Sequence, residues 1–219
     1  MKADFDRAAT LAMETLIANQ ITETPIDSLS ILLKTPGVRV MSFTRFATQA
    51  GIDRHDLVPL FGGNQDAATF NLDLDIDGVQ YVVVYNMRLP HEIILRGIAR
   101  ELGHIVLGHD GLTRPTPVRY AEAMCFAHHL ISPRPILNQL RQEIPLTMNV
   151  LTATTCCSDE CVEDLRTIPG VHVPAELNRK VKDLFARGIG EYIRFYKAAQ
   201  KQDHSPLIEF GTYLDNYEE

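Results

Sequence analysis

Between Pro90 and Gly108 the residues Ile93, Ile94, Gly97, Ile98, Ala99, Leu102, Ile105 and Val106 recur at helical spacing. The pattern predicts a strongly apolar helix that stops near Leu107-Gly108. Arg100, Glu101 and His104 stand in the middle of it. Ionisable side chains inside so apolar a helix must pair with one another or line a partly buried cleft, so this segment bounds both the core and the chemistry.

Around it the chain reads as a mostly helical α+β protein. Phe5, Ala8, Ala9, Ala12, Leu16 and Ile17 predict a first helix over about 4–20, and a second short helix is expected from near Pro25-Ile-Asp27 to Pro36-Gly37. Val38 to Met41 reads as a strand, and Phe43 to Ala47 has helical character; Phe61 to Asp66 is loop chemistry. Phe70, Leu72, Leu74 and Ile76 alternate with polar residues, Asp77-Gly78 makes a turn, and Val79, Tyr81 and Val83 resume the alternation: a β-hairpin. Helices are predicted at about 117–131 and 134–143, from an N-cap at Ser158 through Leu165, and over 175–199. Asp73-x-Asp75-x-Asp77-Gly78 opens like a calcium loop, but its twelfth position is Val84, so the aspartates read as the solvated face of a strand.

Composition removes several function classes. The chain has 219 residues, with Lys+Arg 21 against Asp+Glu 28 and a formal net charge of -7, which leaves no basic footprint for nucleic acid. No apolar stretch approaches the roughly 20 residues of a membrane span, and residues 1–20 lack the apolar core of a signal peptide, so a cytoplasmic location is expected. Cys125, Cys156, Cys157 and Cys161 lack the paired spacing of a zinc ribbon and read as reduced thiols.

The chemistry sits at Arg100-Glu101-x-x-His104. In a helical H-E-x-x-H motif two histidines one turn apart hold a zinc ion and the glutamate activates the zinc-bound water. Here Glu101 and the second histidine, His104, are present, and Arg100 takes the place of the first.

The run Ala99-Arg-Glu-Leu-Gly-His104-Ile-Val-Leu-Gly-His109 and the downstream run Glu122-Ala123-Met-Cys-Phe126-Ala127-His-His-Leu130-Ile-Ser-Pro133 together resemble the ImmA/IrrE family of zinc metallopeptidases. Members of that family carry a helix like A-H-E-L-G-H-x-x-L-G-H and a second like E-A-x-x-F-A-x-x-L-x-x-P. The resemblance spans residues 5–170. It implies a zincin-like core with a small antiparallel sheet or hairpin packed on the motif helix, a metallopeptidase domain over 1–145 and a helical extension over 146–219. It also implies His104 and Glu122 as zinc ligands, Glu101 as general base, and a protein or peptide substrate such as a transcriptional repressor.

Arg100 departs from that pattern, because a guanidinium has no lone pair for a metal and repels one. His91 lies half a turn around the helix, and His109 points elsewhere unless the helix has ended. Asp110 lacks the preceding turn that a metzincin third ligand needs, and His128 and His129 are poorly placed on the Glu122 helix. Arg100 is instead expected to pair with Glu101 or Glu122 in a cleft that persists without metal. Two functions stay open: a metallopeptidase-fold regulator with weak or no peptidase activity, and a non-enzymatic module that binds a peptide or protein.

Overall fold

The computed structural model describes residues 2–53, 66–76, 78–109, 116–155 and 170–201. Asp110, the cysteines at 156, 157 and 161, the predicted 158–165 helix, Asp77 and the side chains of Asp73 and Asp75 lie outside the described residues. Eight helices and three strands occur among those that are described.

Helix α1 (Phe5–Ala18) starts where the Asp4 carboxylate accepts from the Arg7 N–H at 3.0 Å, and it buries Ala8, Ala9, Ala12, Met13 and Leu16. Helix α2 (Ser28–Leu33) begins after Asp27, whose carboxylate caps the N–H groups of Leu29 and Ser30; Pro25 lies outside it. Its Ser28 hydroxyl donates to the Leu95 carbonyl at 2.7 Å in the interior, which ties α2 to the helix predicted around Arg100.

Strand β1 (Val38–Ser42) leads directly into helix α3 (Phe43–Ala50), capped by Ser42. Strands β2 (Ala67–Ile76) and β3 (Val79–Tyr85) form the expected hairpin, with Gly78 at φ +77 supplying the turn conformation that L side chains avoid. The sheet is mixed, which corrects the antiparallel expectation: the order is β1-β3-β2, and β1 runs parallel to β3 with Val38 opposite Tyr81 and Ser42 opposite Tyr85. The physical reason is connectivity. The chain leaves β1 through α3 and returns as a complete hairpin, so the hairpin's second strand reaches β1 in the same direction.

Alternation along β3 divides the core. Val82 and Val84 face Met41, Phe43 and Ala47, where Phe46 stacks on Phe70 with ring centroids 5.4 Å apart. Val83 faces the main core, built on helix α4 (His91–Val106) with Ile98, Ala99 and Leu102.

Helix α5 (Pro117–Ile131), with Pro117 at its first turn and Thr116 as cap, crosses α4 closely. A Cβ on Gly103 would lie 3.0 Å from the Ala123 carbonyl oxygen, so the missing side chain sets that approach. Helices α6 (Arg134–Glu143), α7 (Met148–Thr155) and α8 (Ala175–Lys201) complete the layer. Val181, Phe185, Ile189 and Ile193 of α8 recur at helical spacing and join the same core as α1 and α5. Among the described residues no helix is long and apolar enough to cross a membrane.

Candidate functional site

Gly97, Arg100, Glu101 and His104 fall at i, i+3, i+4 and i+7 on α4 and therefore share one face. Arg100 and Glu101 are each 3% exposed, and His104 is 8% exposed. Burial of a guanidinium demands several acceptors, and Arg100 has them. Its Nη1 donates to Asp66 Oδ2 at 2.8 Å and its Nη2 to Asp66 Oδ1 at 3.1 Å. Nη2 also reaches the Ala67 carbonyl at 2.8 Å and Glu101 Oε1 at 2.7 Å, and Nε donates to the same Glu101 oxygen at 2.9 Å. The guanidinium carbon lies 5.6 Å from the ring centroid of Tyr120.

Burial works against charge on Arg100, but Glu101 and Asp66 outweigh it and hold the guanidinium protonated. Burial pushes the Glu101 carboxyl above its ordinary range, with Arg100 acting in the opposite direction. Asp66 approaches so closely that a Cβ on Gly97 would stand 2.8 Å from its Oδ2, so the glycine admits the carboxylate. Of the two partners expected for Arg100, Glu101 is present and Glu122 is not. Asp66, at the end of a stretch that reads as loop, is a partner the sequence did not point to.

Glu122, on α5, has a different engagement. Its Oε1 accepts the backbone N–H of Asp4 at 2.7 Å, and its Oε2 lies 3.1 Å from His109 Nε2. His109 Nδ1 in turn lies 3.0 Å from His104 Nδ1. His109 thus stands between the two residues that the family resemblance makes zinc ligands.

It can do so because α4 ends at Val106. Gly108 adopts φ +68, its N–H donates to the Ile105 carbonyl at 3.1 Å, and the His109 N–H donates back to the His104 carbonyl at 2.9 Å. These paired bonds around a left-handed glycine are the Schellman termination, and they fold His109 over the last helical turn beside His104.

Burial, His109 and Arg100 push His104 down to about 3, and burial lowers His109 although Glu122 opposes it, so both imidazoles are neutral at neutral pH. A carboxylate only accepts, so His109 carries its proton on Nε2 toward Glu122; its Nδ1 is then the acceptor for His104 Nδ1–H.

The remaining histidines stand apart. His91 is exposed at the start of α4. His128 and His129 are buried in α5, where His129 Nδ1 lies 2.9 Å from the Cys125 carbonyl. Burial raises the Cys125 thiol to about 12, which keeps it protonated and unreactive.

A zinc ion at the position the resemblance implies would need Arg100 as a ligand and Glu101 facing a bound water. Arg100 offers only donors, and Glu101 Oε1 already receives two of them. These residues do not fit a catalytic zinc. Among the described residues no group of three or more His, Cys, Asp or Glu is arranged to hold a metal ion. Compared with protein-family models, with curated proteins and with solved structures, the chain finds no match.

Proposed function

We propose that this protein is a metallopeptidase-fold regulator of the ImmA/IrrE type with a zincin-like core, whose hydrolytic activity is weak or lost and which acts in the cytoplasm by binding a segment of a protein partner. The observation that carries this reading is the fixed pairing of Arg100 with Asp66 and Glu101. Hydrolysis by this fold needs a metal-polarised water and a carboxylate free to take its proton. In this chain the carboxylate is bonded to the cation that replaces the first ligand.

A partner segment has a strand to pair with. Asp66 O accepts the Asn86 N–H at 2.8 Å, so the backbone groups of residues 66, 68 and 70 face β3 and those of 67, 69 and 71 face the other edge of β2. No described strand pairs with that edge. The Ala67 positions are taken, its carbonyl by Arg100 and its N–H by Asp66 Oδ1 at 2.8 Å. Thr69 and Asn71 remain for strand addition by an extended peptide. A transcriptional repressor is the partner class that the resemblance favours, and the acidic charge balance favours a protein over nucleic acid.

The test is a peptidase assay on an unfolded protein substrate, with added zinc and with chelator, for the wild type, Glu101→Gln and Arg100→His. The wild type is expected to show no chelator-sensitive cleavage. Cleavage that chelator abolishes and Glu101→Gln removes would overturn the reading.

A further inference from the structure

The hairpin that offers its outer edge to a partner carries charge of one sign. Resting on strand addition at β2 as the mode of partner binding, we infer that the segment received there is basic, with lysine or arginine at every second position.

The edge supplies the backbone half of the site. Thr69 and Asn71 turn their N–H and C=O groups away from β3, and among the described residues no strand takes them. An extended segment satisfies both positions at once; a helix, whose backbone groups bond internally, does not. Arg100 and Asp66 close the Ala67 groups, so pairing begins at Thr69 and continues along β2 toward Ile76.

The hairpin sequence supplies the charge. From Asp66 to Tyr85 the chain holds four acidic residues, Asp66, Asp73, Asp75 and Asp77, and no Lys, Arg or His. Arg100, the cation bonded to the start of β2, is already matched by Asp66 and Glu101. The hairpin's own sequence offers no cation to the other three aspartates, and their run is not completed as a calcium loop, because its twelfth position is Val84. Their spacing by two is the period of a strand face, which cations at alternate positions of a paired segment match. Opposite charges facing each other across a strand pair attract, and like charges repel.

That sign decides between occupants. A second copy of the chain, paired edge to edge, brings aspartates toward aspartates and adds to the repulsion between two chains of formal net charge -7. An acidic segment meets the same repulsion, and a neutral one gains only the backbone bonds. A basic segment gains the backbone bonds, the cross-strand charge pairs and a faster encounter with an acidic protein.

Three fluorescein-labelled peptides, each of about eight residues, alternate threonine with lysine, glutamine or glutamate. Each is titrated with full-length protein at low salt and in about 0.5 M sodium chloride, with anisotropy as the readout. In parallel, the backbone amide resonances of Thr69 and Asn71 are followed in ¹⁵N-labelled protein. The lysine peptide is expected to bind tightest and to shift both amides, and the glutamate peptide not to bind. High salt should weaken the lysine peptide and leave the glutamine peptide nearly unchanged. Asp73→Asn combined with Asp75→Asn should weaken the lysine peptide about 2–30-fold, the loss of two cross-strand charge pairs, without affecting the glutamine peptide. Asn71→Pro removes an N–H that points away from β3, so the hairpin ladder survives and both peptides should bind more weakly.

Equal affinity for the lysine and glutamine peptides, with both shifting Thr69 and Asn71, overturns the basic specificity and leaves strand addition standing. Salt-sensitive binding of the lysine peptide that shifts neither amide also overturns it, because charge alone then holds the peptide. If no peptide shifts these amides at millimolar concentration, strand addition fails and the basic specificity with it. The wild-type shifts decide the outcome even where a variant fails to fold, and the peptidase assay tests the loss of hydrolysis independently.

Discussion

Gly97→Ala pits helix propensity against one buried contact. In an ordinary helix interior the change stabilises by about 1 kcal/mol, since alanine loses less backbone freedom on folding. At this position the new Cβ would lie 2.8 Å from Asp66 Oδ2, 3.0 Å from its Cγ and 3.1 Å from its Cβ. No rotation of the carboxylate tip clears all three atoms, so Asp66 must withdraw and give up its two bonds to Arg100. Stripping one partner from a buried ion pair costs about 3–5 kcal/mol. The Asp66 side chain is 14% exposed, which places the loss at the lower end. After the propensity gain the net destabilisation is about 2–3 kcal/mol, or roughly 5–10 °C in Tm for a chain of this size. Urea unfolding of the wild type, Gly97→Ala, Asp66→Ala and the double variant closes a double-mutant cycle. In the Asp66→Ala background only the 3.1 Å approach to the residue 66 Cβ remains, so the glycine substitution should cost clearly less than it does in the wild type. An equal cost in both backgrounds, or a Gly97→Ala variant as stable as the wild type, refutes the account of Arg100 as a residue held by Asp66.

Other expectations follow from packing and burial. Gly103→Ala puts a Cβ 3.0 Å from the Ala123 carbonyl oxygen and from Phe126 Cδ1; a backbone atom cannot yield, so the α4–α5 crossing widens at a cost of about 1–3 kcal/mol, read as a lower urea midpoint. Burial, then Arg96 and His129, push His128 down to about 4. The unfolded chain protonates this imidazole first, near its ordinary value of about 6.5. Its contribution to stability is therefore complete above about pH 6.5 and is lost as pH falls toward 4, by about 3 kcal/mol. Urea midpoints measured across that interval should fall with pH, and less so in His128→Gln; a level profile would contradict the buried neutral state.

Sequence periodicity reveals helices whose burial pattern is local and misses contacts that depend on distant chain. Helices α5 and α6 occupy the predicted spans 117–131 and 134–143 because Pro117, Ser132 and Pro133 mark their limits. Helix α7 carries a Thr147 cap, whose hydroxyl accepts the Val150 N–H at 3.3 Å, but its Thr152, Thr154 and Thr155 are poor helix formers. It forms because Val150 and Leu151 enter the core, and the buried hydroxyls of Thr154 and Thr155 find their partners by donating back to the carbonyls of Val150 and Leu151, at 2.6 and 2.7 Å.

The site divides in the same way. Arg100, Glu101 and His104 are recognisable from spacing along one helix. Asp66 is 34 residues from Arg100, and its only local trace is Gly97, a glycine inside a helical pattern. His109 was legible in part: Leu107-Gly108 signals a helix end, and the left-handed glycine is what returns the next side chain toward His104. The Asp4 N–H on Glu122 joins positions 118 apart through a backbone group, which leaves no mark on residue type.

The occupied Ala67 position on the outer edge of β2 also bears on self-association. An edge strand with free N–H and C=O groups along its whole length is a template on which copies of a chain pair and aggregate. Arg100 and Asp66 saturate one end of that template from within the molecule, and a buried charge beside the strand makes further growth there costly. Among the described residues no strand pairs with Thr69 and Asn71, the next positions along that edge, so strand addition begins past the saturated end.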